Sequence, residues 1–562
     1  MSPPDPAAPA RLLFDAPLER SAASAPMQTQ LHRRIKSAIL DGRLPPGCRM
    51  PGTRALAEQL AVSRNTVTAA YDHLAAEGYI EADRQGTRVA ALVAPKQPGT
   101  PHEPAAPSVL ARRVHEIASA APPALSTPHA LPTSTPVPAK LPRAPAGRNT
   151  AALGAPLVQA SGIGADSSFA FRPGTPALSH FPLPAWRRAL ERAIRAGGVA
   201  ALAYGDPMGE AALRSAIAAH LAVTRGVRCT AAQIVVTDGA QAALDLCIGL
   251  LTNPGDTAWV EEPGYRGAKA AMRAGDLRVV PIRVDAHGLA ASADDWRDTP
   301  PRVVYTSPSH QYPTGAVMSA ARRLALIDAA RRHGAWIIED DYDSEFRYAS
   351  EPIGAMQGLI DGAPVLYVGS FSKTMFPSLR LGFVVLPLAI AERLPRVLGE
   401  RLRGGARHAQ LAMADFIESG QFSRHLGRMR RLYRGRQAAL REALAADFTV
   451  PHEIAGGGAG MHLTVRLPQT CDDCTIVAAA RAHGMAPSAL SMFAIAPLPT
   501  DNGLVLGYGN TAEDRFRPFV QCLSLLAKSS PAAEPRAATS TPAAADGETR
   551  SGLRIHDTAR KR

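Results

Sequence analysis

Between residues 92 and about 165 the sequence is dominated by Pro, Ala, Ser and Thr, as in PPALSTPHALPTSTPVPAKLPRAPAG. Such a stretch buries too little apolar surface to offset the entropy of ordering it, and its prolines extend it. It is expected to be a linker, so the 562 residues divide into at least two folded units, as that length alone requires. The units expected are 27–91 and 166–527, with disordered ends at 1–26 and at the Ala/Pro/Thr-rich stretch 528–562. The start, MSPPDPAAPA, has no charged region followed by an apolar run, and no apolar stretch is long enough to span a bilayer. A cytoplasmic protein with no membrane partner is expected.

The net charge of +13 suits a polyanionic partner, but an arginine- and alanine-rich composition gives the same sign without one. The six cysteines have no metal-site spacing. Cys471 and Cys474 form a lone C-D-D-C with no second pair or histidine doublet, and no metal is expected.

The first unit has helical periodicity followed by a short strand pattern. Leu31, Ile35, Ile39 and Leu40 share a helical face that Gly42 closes. TRALAEQLAVSRNTVTAAYDHLAAEGYI then gives two short helices around a turn at Ala61-Val62, the spacing of a helix-turn-helix. Thr53 is expected to cap the first and Ser63 the second. Leu56 and Leu60 face inward on the first, and Val67, Ala70, Tyr71 and Leu74 on the second. Arg64, Asn65, Thr66 and Thr68 then occupy the opening turns of the second helix, where a recognition helix meets bases and phosphates. YIEADRQGTRVA reads as a strand, a glycine turn at Gly86 and another strand, a wing.

The second unit alternates helical and strand patterns, as an α/β domain does. The run Ala335–Ile338 ends abruptly in acids, and the run Val365–Val368 leads into Ser370, Ser372 and Lys373. Buried parallel strands look this way where their carboxyl ends open into a site. Asp340 and Lys373 on neighbouring strand ends suit pyridoxal 5′-phosphate. A desolvated lysine is partly neutral and can form a Schiff base with the aldehyde, while an aspartate keeps the pyridine nitrogen protonated. A phosphate needs N–H groups at a helix start and an arginine fork. VVTDGAQAALDL supplies the first with Gly239, Ala240 and Gln241, and Ser370 with Arg380 completes the cup.

GRLPPGCRMPGTRALAEQLAVSRNTVTAAYDHLAAEGYI resembles the DNA-binding domain of GntR-family regulators, with Met50 where that family usually has Leu. The resemblance implies that Arg54 and Arg64 contact double-stranded operator DNA, with Thr66 and the wing residues Gln85 and Gly86 beside them. FPLPAWRRAL, YGDPMGEAALRSAIAAHL, VEEPGYRG, TSPSHQYPTGAVMS, IIEDDYDSEFRY, SFSKTMFPSLRLG and LGYGN resemble fold-type I, aminotransferase-like proteins. The combination is similar to the MocR subfamily of GntR regulators. It implies a multi-domain chain: a winged helix-turn-helix, then an α/β pyridoxal-phosphate-dependent transferase-like domain with a small C-terminal α+β subdomain, assembled as a homodimer.

By that resemblance Lys373 forms the Schiff base, Asp340 pairs with the pyridine nitrogen and Tyr342 bonds the ring oxygen. Tyr265 would stack on the ring, Arg380 would hold the phosphate and Tyr204 would reach across a subunit interface. Packed core tyrosines with satisfied hydroxyls are the alternative for Tyr204 and Tyr265. Three positions depart from aminotransferases: Val505 or a neighbour stands where an arginine would bind the substrate carboxylate, Tyr312 replaces an asparagine, and Asp238 replaces a common serine at the cup. A carboxylate without a bidentate partner is costly to bury, which disfavours ordinary amino-acid binding. Two functions follow: a regulator sensing pyridoxal phosphate or an amino compound held on it, or an active aminotransferase with a substitute anchor such as Arg266. A DNA-reading fusion favours the sensor, with residual transaminase activity at most.

Overall fold

A computed structural model describes residues 17–19, 27–83, 86–90, 111, 112, 114, 169–348, 354–402 and 404–532. The N-terminal unit consists of helices α1 (Met27–Leu40), α2 (Thr53–Gln59) and α3 (Arg64–Ala76) followed by strands β1 (Ile80–Asp83) and β2 (Gly86–Val89). Leu31, Ile35, Ala38 and Ile39 are the buried stripe of α1, at the spacing a helix needs to show one face. The Ser63 side chain accepts the Thr66 N–H at 3.1 Å and caps α3. The expected cap at Thr53 is corrected: extended Gly52 is the N-cap of α2, with no side-chain cap, and Thr53 is already helical. Glycine is tolerated at that position, so the chain can enter the helix one residue early. β1 and β2 pair antiparallel, with Asp83 opposite Gly86.

The larger unit is built on an eight-stranded sheet in the order β3 (Ile234–Thr237), β10 (Gly382–Val385), β9 (Val365–Ser370), β8 (Trp336–Asp341), β7 (Val303–Thr306), β4 (Thr257–Glu262), β5 (Arg278–Asp285), β6 (Gly288–Leu289). β4, β5, β7, β8 and β9 run parallel to their neighbours in that set, and β10 is antiparallel to β3 and β9. Strand order reverses between β4 and β7, and ligands bind beyond the carboxyl ends of open sheets at such a reversal. Both faces are buried across the central strands β10, β9, β8, β7 and β4, which is why these read as continuous apolar runs. The helices that frame the site and carry the N-terminal unit are α4 (Leu183–Gly197), α5 (Ala240–Leu251), α6 (Arg266–Ala274), α7 (Ala320–His333) and α8 (Gln421–Asp447). The C-terminal subdomain has a four-stranded antiparallel sheet, β11 (Glu453–Ala455), β12 (His462–Arg466), β14 (Gly503–Gly507), β13 (Ser488–Ala489). Helices α9 (Asp473–Ala480) and α10 (Phe516–Ser529) complete it.

Three intervals depart from expectation where they are described. Within 1–26, Leu18 is buried in the core of the N-terminal unit, and the Glu19 backbone exchanges two hydrogen bonds with the Gln30 side chain. Within 92–165, Ala111 and Val114 are fully buried, and Ala111 N–H donates to the Leu250 carbonyl at the end of α5. Two apolar residues three apart find a shared cavity there, which composition averaged over the tract conceals. The C-terminal helix runs to Ser529, past the boundary drawn at 527. The rest of these intervals lies outside the described residues, as does Gln85.

The N-terminal unit is seated on the start of α7. Its apolar residues and Leu324, Ile327 and Ala330 of α7 form one buried cluster, and Ala320 N–H donates to the Glu77 carbonyl at 3.0 Å. The Glu77 carboxylate is buried between Lys36 at 2.8 Å and His32 at 3.1 Å. Burial opposes its ionisation, but these two neighbours prevail and hold the carboxyl down to about 2.

Candidate cofactor site and DNA-reading surface

β8 and β9 are parallel neighbours with Asp340 opposite Val368, so Asp340 and the turn carrying Lys373 open on the same edge. Alternation along β8 splits three consecutive acids. Asp340 faces Tyr305, whose hydroxyl donates to Asp340 Oδ2 at 2.6 Å. Glu339 and Asp341 point through the other face, where Arg225 pairs with Asp341 at 2.7 Å and Glu339 accepts the N–H groups of Met356 and Gln357. Asp340 Oδ1 is buried with no hydrogen-bond partner among the described residues, and burial pushes this carboxyl up to about 7.

The Lys373 Nζ donates to the Gly174 carbonyl at 2.7 Å. Burial lowers the pKa of its ammonium, with Asp343 and Asp340 opposing the shift only in part. Gly174 has φ 69°, a backbone conformation that favours glycine, and a Cβ there would lie 2.8 Å from the lysine nitrogen. The Tyr342 hydroxyl is 3.0 Å from His310 Nδ1, which lies 3.0 and 3.1 Å from the two Asp343 carboxylate oxygens. His462 packs against His310 and meets the Pro313 carbonyl at 2.9 Å. His310, Asp343 and His462 have the proximity of a metal triad. Asp343 and Pro313 engage one nitrogen of each imidazole; Asp343, His310 and Tyr342 form a hydrogen-bonded chain, with His462 packed beside it.

Ser370, Gly382 and Thr237 stand in register at one edge across β9, β10 and β3. From that edge Gly239 opens α5, whose first N–H groups, including those of Ala240 and Gln241, have no intrahelical acceptor. The Arg380 Nη2 donates to the Asp238 carbonyl at 2.7 Å, and its guanidinium lies 3.3 Å from where a Gly239 Cβ would be. Helix start and arginine fork thus meet, as an anion requires. Ser370 Oγ accepts the Ser372 N–H at 3.1 Å, and Gln241 is turned toward the Gly267 carbonyl at 3.2 Å.

Tyr265 precedes α6 with its ring half-buried over Gly267, edge-on to Tyr312 at 6.3 Å. Tyr204 is elsewhere: it is 84% exposed, which excludes a packed core tyrosine. Val505 is fully buried against Leu490, Phe493 and Tyr312, an apolar wall on the face of β14 turned away from the main subdomain core. Arg266 is exposed. Sequence reading missed Tyr305, His310, Asp343 and Gly174; only SPSH and the D-x-x-D spacing around Tyr342 signalled any of them.

On the N-terminal unit, Arg54, Ser63, Arg64, Asn65 and Gly86 are exposed, and Thr66 and Thr68 are half-exposed on α3. Arg54 pairs with Glu58 at 3.4 Å. The α3 start points away from α7, because Glu77, just past the other end of α3, makes the docking contact.

Fold and site together define a helix-turn-helix unit joined to an aminotransferase-type domain. Residues 27–89 match the family model of bacterial regulatory proteins of the gntR family, and residues 174–492 match aminotransferase class I and II. A probable rhizopine catabolism regulatory protein, MocR, of Rhizobium meliloti is 36% identical over 506 residues, covering 89% of this chain and 94% of that protein. The pyridoxine biosynthesis transcriptional regulator PdxR of Corynebacterium glutamicum is 29% identical, covering 87% and 93%. Among solved structures, the α-aminoadipate aminotransferase LysN of Thermus thermophilus, complexed with N-(5′-phosphopyridoxyl)-L-leucine, superposes with a TM-score of 0.59 at 26% identity over 64% of this chain and 92% of its own. The chain belongs to the MocR-type regulators of the GntR family, whose aminotransferase-like domain implies pyridoxal phosphate as cofactor. No helix among the described residues is long and apolar enough to cross a membrane.

Proposed function

We propose that this regulator binds operator DNA in the cytoplasm through α3 and the wing, and senses pyridoxal phosphate, or an amine joined to it, at Lys373. The observation that carries the sensing role is the unpartnered, buried Asp340 Oδ1 on the strand beside a desolvated Lys373. A protonated pyridine nitrogen would supply the donor that this oxygen lacks. The bound cofactor supplies an aldehyde that condenses with amines and a ring that withdraws electrons.

The chain's own residues do the rest. Lys373, whose charged form is disfavoured by burial, is the nucleophilic amine. Asp340 holds a proton at the ring nitrogen, and Tyr342, backed by His310 and Asp343, offers a hydroxyl to the ring oxygen. Arg380, Ser370 and the N–H groups at Gly239, Ala240 and Gln241 hold the phosphate, while Tyr265 covers one ring face. The apolar wall at Val505 offers no guanidinium to an α-carboxylate, which favours sensing over transamination.

Coupling to DNA needs a ligand that favours one arrangement of the two units. The segment from Ser307 to Met318 carries Tyr312 beside the site and runs directly into α7, on which the DNA reader sits. Leu183, Ile194, Val199, Leu202 and Tyr204 expose a large apolar area on and after α4, which supports a homodimer with Tyr204 directed at the second subunit.

The test is a mobility shift on the regulator's operator, titrated with pyridoxal phosphate with and without candidate amines. Cofactor alone, or cofactor with one amine, should change DNA affinity. Arg64→Ala should cost about 1–3 kcal/mol of specific binding; retained operator affinity in that variant would remove α3 as the reading element.

Asp340→Asn gives a second check. With its folded pKa near 7 and its unfolded value near 4, Asp340 binds an extra proton when folded across that window. Its contribution to the stability of the cofactor-free protein therefore falls as pH rises from about 4 to about 7. The asparagine variant should lose this slope in thermal melts across that range and lose cofactor affinity at least about tenfold. An unchanged slope would show that Asp340 is solvated.

A further inference from the structure

Helix α8 carries an arginine face that belongs neither to the cofactor site nor to the reader. Arg424, Arg428, Arg431 and Arg434 are all exposed, and steps of four, three and three residues put them on one side. Phe422, His425, Leu426, Met429, Tyr433 and Leu440 fill the opposite, buried side. From Gln421 to Arg441 the helix contains no acidic residue. Arg424 is held on the carbonyls of Ser419 and Gly420. Arg428, Arg431 and Arg434 have no hydrogen-bond or ion-pair partner among the described residues. Four other exposed helical arginines, Arg54, Arg187, Arg297 and Arg332, each pair with an acid one turn away.

A second observation is independent of charge. Gly427 lies among these arginines in mid-helix, where glycine is the poorest former after proline. A Cβ there would meet no atom within 4 Å, so packing does not require the glycine. Gly435, on the same face, is exposed, and the Glu513 carboxylate lies 3.0 Å from where its Cβ would be. The open floor is therefore the one at Gly427, fringed by Arg424, Arg428 and Arg431. A solvated helix face gains nothing from such a floor, whereas a polyanion backbone that must approach closely does.

We infer that this face of α8 binds the phosphate backbone of duplex DNA outside the sequence read by α3. The four arginines span about 15 Å, a length along which a duplex presents about nine phosphates. Charge complementarity selects the occupant, because the same chain delivers duplex DNA to the molecule through its N-terminal reader. The contact carries no base information and adds affinity and bending rather than specificity.

The experiment measures the affinity of the full-length protein for a long random-sequence duplex as a function of salt. Each phosphate contact contributes about 0.9 to the slope of log affinity against log salt. The triple variant R428Q/R431Q/R434Q should lower the magnitude of that slope by about 2–3 and leave the melting temperature within error of the parent. The triple lysine variant should keep the parent slope, and Gly427→Glu should reduce it with the arginines intact. A glutamine variant with the parent slope and a normal melt overturns the inference. So does a slope lost equally in the glutamine and lysine variants, which would mean that the helix surface and not its charge was disturbed.

Discussion

Lys373→Ala should abolish the visible chromophore formed when pyridoxal phosphate is added, and with it every cofactor-dependent change in DNA affinity. Binding of the cofactor-free protein to its operator should stay within about threefold of the parent, because the reader makes no contact with this side chain. The fold should survive. Removing Lys373 leaves the Gly174 carbonyl without its donor, a loss of about 1 kcal/mol, and relieves the cost of a cation whose burial is itself unfavourable. Absorbance, equilibrium DNA binding with and without cofactor, and a thermal melt read the three effects separately. A variant that lost the chromophore but kept the cofactor response would place the sensor elsewhere in the molecule.

The second large effect is expected at Arg323→Lys, a change that preserves charge and removes geometry. Arg323 is 1% exposed. Its Nε donates to the Met318 carbonyl at 3.0 Å, and its Nη2 to the Pro308 carbonyl at 2.8 Å, tying together both ends of the segment that carries Tyr312. Its Nη1 donates to the Gly354 carbonyl at 2.8 Å, and Tyr79 and Glu77 of the DNA reader lie within its field. A lysine cannot span three carbonyls in a fixed fork. The expected loss of stability is about 2–4 kcal/mol, and the cofactor-dependent shift in operator affinity should fall by at least about half while cofactor still binds. Arg323→Lys that lowers the melt yet leaves the full shift would reduce this residue to a structural tie.

How much of this was legible beforehand depends on where each signal lives. The reader was plain because its chemistry is local: a stripe of Leu31, Ile35 and Ile39, a serine cap and a wing within one short stretch. Only the Thr53 cap failed, since nothing in a Gly-Thr pair says which residue first turns helical. The strand ends bearing Asp340 and Lys373 were legible from apolar runs that stop at polar residues. Tyr305, His310 and Asp343 were not, because their roles arise from the register of β7 on β8 and from a loop folding back, neither of which local pattern encodes. Tyr204 shows the same limit from the other side, its exposure following from how the chain packs and not from its local pattern. Arg225 behind β8 escaped for a different reason. Glu339, Asp340 and Asp341 look like one acidic cluster in the sequence, and only the alternation of a strand that is buried on both faces assigns them to separate partners.

Pinning Ala111 to the end of α5 sets a leash. Measured to Phe169, the connection from the reader would be several times longer. Measured to its true anchor it is residues 91–110, which fully stretched reach roughly 70 Å. A reader that lets go of α7 therefore remains in the neighbourhood of its own core, at a local concentration that makes reseating quick. In the homodimer proposed above, that tether would bound the distance between two recognised DNA segments, so longer separations would be met by curving the duplex and not by letting out chain.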